Sequence, residues 1–135
     1  MASMTDQPSS NFVVVLNSSK ELEYFRDRKL SAKQSADLEK IDARLNQGFE
    51  AGGQLIEHPT TEDKATFAAN VLISALLHDN ESSAAIFCSF LATRYPALKQ
   101  VKATTHDDRV TIQLIYDKEY TEETAVQFIS KNDLY

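Results

Sequence analysis

One cysteine, three glycines and a deficit of positive charge mark what this chain of 135 residues goes without. A lone Cys88 excludes an internal disulfide. It stands between Phe87 and Ser89 in the most apolar stretch, with no cation or helix start beside it in sequence to favour a thiolate. It therefore reads as a small core residue rather than a nucleophile. The three glycines, Gly48, Gly52 and Gly53, fall together in "GFEAGG". That run lacks the Lys-Ser/Thr ending of a phosphate loop and follows no predicted strand, so it is read as a helix end and a turn.

Fourteen Lys and Arg against twenty Asp and Glu give a formal charge of −6. Such a surface repels phosphate backbones and acidic membranes, and no nucleic-acid partner is expected. The densest basic clusters, Arg26, Arg28, Lys29 and Lys33, and Lys99 with Lys102, are short and mixed with acids, as on a solvated face. Long apolar runs are missing too. A membrane span needs about twenty residues, whereas the uncharged runs Ala65 to Leu77 and Ser82 to Thr93 have thirteen and twelve, with Asp79 and Glu81 between them. No membrane partner is expected. The polar start "MASMTDQPSSN" and the short run "FVVVL" do not form a secretory signal, which predicts a cytoplasmic protein.

Chemical motifs are equally scarce. No HxxxH, CxxC or GxSxG occurs. The histidines, His58, His78 and His106, each stand beside an acid or a turn former, and nothing in their spacing ties two metal ligands together. Asp37, Glu39 and Asp42, like Glu119, Glu122 and Glu123, lie in polar sequence and read as charged helix surfaces, not as carboxylates with divided pKa values. No catalytic residue, metal or other cofactor is predicted.

What is present suits one domain. With 42% hydrophobic residues, the chain has enough apolar surface for a single core. Residues 1–11 are polar and aperiodic, which predicts a disordered tail before a single domain over 12–135. Phe12 to Leu16 is a continuous apolar run, expected as a buried strand or a strand paired across an interface. "SSKE" from Ser18 matches a capping box and predicts a short helix to Lys29, although only Leu22 and Phe25 offer it a packing face. Ser31 with Gln34 repeats the pattern, ahead of a helical stripe of Leu38, Ile41, Leu45 and Phe49. Pro59 precedes a cap at Thr60 or Thr61, and two further helices, 61–78 and 81–94, are separated by Asp79 and Asn80. "KQVKATT" and the alternating "RVTIQLIY" then form a predicted hairpin through "HDDR", and Thr121 caps a last helix in "TEETAVQFIS". The expected fold is α+β: a small, mainly antiparallel three-stranded sheet in β-α-α-α-α-β-β-α order with helices packed on one face.

Two surfaces are candidates for function. Thr66, Asn70, Ser74 and His78 recur at spacing four beside apolar neighbours. Asn70, Ser74 and His78 are therefore candidate ligand-binding residues, provided that their polar groups converge on apolar space. On the next helix Ala85, Cys88, Ser89 and Ala92 form a small side, and Ile86, Phe87, Phe90 and Leu91 a bulky one. A helix apolar on most sides is central or shared between subunits. Phe12, Val14, Leu16, Ala85, Ser89 and Ala92 are accordingly the candidate interface. The leading expectation is a non-enzymatic interaction or regulatory module that binds protein, itself included, as a homodimer; the alternative is a small-ligand or metal-binding domain, or a minor enzyme, built on the His78 region.

Overall fold

A computed structural model describes residues 11–120. Phe12–Leu16 (β1) and Ser19–Tyr24 (β2) are followed by α1 (Ala32–Asn46), a small pair β3 (Phe49–Ala51) and β4 (Gln54–Ile56), helices α2 (Thr61–Leu77) and α3 (Glu81–Arg94), and finally β5 (Gln100–His106) and β6 (Arg109–Ile115). The main sheet has four strands in the order β2-β1-β5-β6, and β3 and β4 form a separate two-stranded sheet.

The class is α+β, but the expected three-stranded, mainly antiparallel sheet is not what forms. β1 pairs antiparallel with β2 and parallel with β5, so the sheet is mixed. Three helices occur among the described residues. The first helix anticipated from "SSKE" is strand β2: Asn17 and Ser18 adopt left-handed conformations at φ 51 and 68, as a two-residue hairpin loop requires. Hydrogen bonding within a hairpin then outweighs a local cap on a segment with too few apolar residues for a helical stripe. The glycine run is a second hairpin. Gly52 and Gly53, at φ 59 and 80, turn β3 into β4, and α1 ends at Asn46 instead of running on to Phe49. At Gly48, φ is 94 and an added Cβ would meet the Ile56 carbonyl oxygen at 2.6 Å. Only glycine fits there. The predicted tail and the predicted last helix from Thr121 lie outside the described residues, apart from Asn11 at the tail's end.

The helices begin where their caps permit. Ser31 with Gln34 and Thr60 with Asp63 form reciprocal capping boxes, and the Asn80 side chain accepts from the Ser83 amide at 3.2 Å. Between α2 and α3, the Asn80 amide donates to the Ala75 carbonyl at 2.8 Å and the Asp79 amide to Leu76 at 3.3 Å. Asp79 takes the left-handed position, φ 55, in this closing turn.

Phe12, Val14, Tyr24, Val101 and Ala103 share one side of the sheet and join Leu38, Leu45, Leu72, Phe90 and Leu91 in a single core. All three helices thus cover one face. On the other side Val13 and Val15 are also buried. There the chain following β6 turns back over the sheet: buried Gln100 donates to the Lys118 carbonyl at 2.8 Å, and the Lys20 ammonium lies 5.8 Å from the centre of the Tyr120 ring. Burial on both faces explains why β1 is apolar at every position.

Candidate functional site

The sheet ends in two edge strands of opposite character. β6 pairs only with β5 among the described residues, from Arg109 opposite His106 to Ile115 opposite Gln100. Its tight connection is Asp107-Asp108, with Asp107 at φ 57. Along "RVTIQLI" the sole charge is Arg109 at the start. Val110 is 43% exposed, and Tyr116, just past the strand, 39%. Ile112, Leu114 and Ile115 are half-buried, whereas Thr111 and Gln113 are exposed. Among the described residues its outer backbone groups have no strand partner, and little charge stands along it to keep another strand away.

β2 is guarded. Its sequence "SKELEY" carries Lys20, Glu21 and Glu23, and its pairing with β1 is interrupted by a bulge at Val14/Val15. Lys20 and Glu23 form an ion pair at 2.9 Å. Asn11 donates to the second Glu23 oxygen at 2.8 Å. Hydrogen bonds from Lys20 and Asn11 hold the Glu23 carboxyl below its ordinary pKa, since both favour the charged form.

The residues singled out from sequence fall in other places. Asn70, Ser74 and His78 do come together, with Asn80 and Ser83, around an open depression of about 450 Å³. Two of their polar atoms meet the helix backbone: Asn70 Nδ2 donates to the Thr66 carbonyl at 2.9 Å, and His78 Nδ1 lies 2.8 Å from the Ser74 carbonyl. Phe12 and Val14 are wholly buried in the chain's own core, and β1 has a neighbour on each side. Leu16 and Ser89 are half-buried, Ala92 is buried, and Ala85 is exposed. His58 and His78 are exposed at separate bends of the chain, and His106 is exposed at the end of β5. No group of three His, Cys, Asp or Glu among the described residues is placed to hold a metal ion.

Cys88 lies in the core, where burial pushes its thiol up to about 12 despite the opposing influence of Arg26. At neutral pH it is not a thiolate. Arg26, read from sequence as part of a solvated basic cluster, is instead half-buried. Its guanidinium donates to the carbonyls of Ala92 and Tyr95, each at 3.1 Å, and to Leu98, and it lies 5.7 Å from the Phe12 ring centre. It ties the end of β2 to the end of α3. Its position in sequence gave no sign of this, because the carbonyls it satisfies lie 66 to 72 residues away.

The protein is thus of the α+β class, with a mixed four-stranded sheet covered by three helices on one face. Comparison with protein-family models, with curated proteins and with solved structures finds no match to this chain. No helix among the described residues is long and apolar enough to cross a membrane.

Proposed function

We propose that this protein is a non-enzymatic interaction module that associates with a second copy of itself through the β6 edge. The observation carrying this reading is the contrast of that edge, seven residues with one charge at its end, with the charged and bulged β2. Antiparallel pairing of β6 with its own copy is a two-fold, self-complementary contact, and it extends the four-stranded sheet to eight. A net charge of −6 opposes the approach of two copies, so an uncharged stretch is where they meet at least cost. A register centred on Gln113 sets Thr111 of one copy opposite Ile115 of the other, within the span of β6. The cytoplasm is the compartment in keeping with this reading, since one buried thiol without a disulfide suits a reducing environment.

Light scattering coupled to gel filtration at micromolar concentration is expected to give about twice the 15.1 kDa chain mass. Gln113 is exposed, and Gln113→Lys brings two like charges face to face at the centre of the seam. That variant is expected to elute as a monomer with its melting temperature intact. A wild-type monomer over the whole concentration range, or a Gln113→Lys dimer, would refute the proposal.

A further inference from the structure

Helices α1, α2 and α3 enclose between them an open cavity of about 360 Å³, within the size range of small-molecule sites. Leu45 forms its buried floor, and the half-buried Ile41, Phe67, Val71 and Phe87 form its walls. Phe67 is held in place by the ring of Phe49, 4.4 Å between centres. On the rim stand Lys40 and Arg44, one helical turn apart and both exposed.

Those two cations differ from their neighbours. Lys33 pairs with Asp37 at 3.4 Å and Arg94 with Asp42 at 2.7 Å, and Lys64 donates to Asn46 at 2.6 Å. Among the described residues the side chains of Lys40 and Arg44 make no ion pair or hydrogen bond. Acids outnumber bases by twenty to fourteen in this chain, so two adjacent cations with no partner among the described residues, at the mouth of an apolar cavity, form an arrangement complementary to an anion with an apolar body. We infer that the cavity binds a small amphiphile with one carboxylate, of the class of medium-chain fatty acids. Its two oxygens accept charge-assisted hydrogen bonds from Lys40 and Arg44, while its chain covers Phe67, Val71 and Phe87 and removes their exposed surface from water. The walls offer no further polar side chain for the extra oxygens of a phosphate, which favours a carboxylate head.

The test is calorimetric titration of the full-length protein with decanoate below its micellar concentration, with decan-1-ol as the headless comparison. Saturable binding of one decanoate per chain is expected, with decan-1-ol weaker. Affinity should fall about tenfold or more in the Lys40→Ala/Arg44→Ala variant, the scale of a lost charge-assisted pair. It should stay unchanged in Lys33→Ala, a cation on the same helix outside the cavity. Val71→Phe fills the space and is expected to abolish binding while the circular dichroism melt remains cooperative. Absence of saturable binding, equal affinity for decan-1-ol, or equal affinity in the Lys40→Ala/Arg44→Ala variant would overturn the inference.

Discussion

β2 and β6 close opposite sides of the same sheet, yet they treat an incoming strand in opposite ways. β2 places Lys20, Glu21 and Glu23 along its length and twists at a bulge. Both devices discourage edge-to-edge pairing. β6 has neither: between Arg109 and Asp117 it carries no charge, and its pairing with β5 is regular over all seven residues. If the protein pairs with itself as proposed, one guarded edge and one edge uncovered among the described residues would limit association to a closed pair and prevent an open chain of sheets.

The contrast is sharpened first by moving a carboxylate inward. β2 carries Glu21 and Glu23 at exposed positions, but Val14 on the adjacent strand is 0% exposed. Val14→Glu buries an unpaired charge, and a loss on the order of 4 kcal/mol or more is expected. The thermal transition followed by circular dichroism should disappear or shift far downward. Retention of the wild-type midpoint would contradict the placement of β1 in the centre of the sheet.

A second variant removes the guard. Glu21→Thr/Glu23→Thr leaves the β2 edge with Lys20 alone, and species larger than a dimer are expected in light scattering as both edges become adhesive. If the mass stays at that of the wild type, charge is not what keeps β2 single.

A smaller effect is expected from acid. The Glu23 carboxyl is held below its ordinary pKa by Lys20 and Asn11. Its contribution to stability is complete above the unfolded-state value, about 4.3, and is lost as pH falls through the lower folded-state value. Carboxyl chemical shifts should show Glu23 titrating below an ordinary glutamate, with β2 loosening only in that acidic window. A normal Glu23 titration would mean that the Lys20 pair contributes nothing to the guard.

Much of this architecture was legible in the sequence where a signal is local. The alternation of Val110, Ile112 and Leu114 marked β6, and the caps at Ser31, Thr60 and Asn80 marked three helix starts. Ser18 to Glu21 misled because a capping box and the start of a hairpin strand share the same residue types. The competing signal lay one residue earlier, in Asn17, a residue that tolerates a positive φ. Gly52-Gly53 between two short apolar-containing runs was a hairpin signature that the proximity of α1 obscured. That Phe12 to Leu16 shares a sheet with the later hairpin was legible from its apolar run, but the parallel direction of its pairing with β5 was not, since it joins residues 12–16 to a strand beginning at Gln100. The candidate edge is a consequence of that long-range pairing: the strand pattern of β6 was visible, but its place at the border of the sheet was not. In the same way, the apolar walls of the α1–α3 cavity looked like ordinary helical stripes until their packing brought Lys40 and Arg44 to its rim.

Amide hydrogen exchange resolved by residue compares the two edges in one experiment. At a concentration that populates the dimer, the outward-facing amides of β6 are expected to be protected, and on dilution they should exchange at the rate of a free edge. The outward-facing amides of β2 should exchange rapidly at both concentrations. Equal protection of β2 and β6, or β6 amides indifferent to dilution, would contradict the claim that β6 is the seam between two copies.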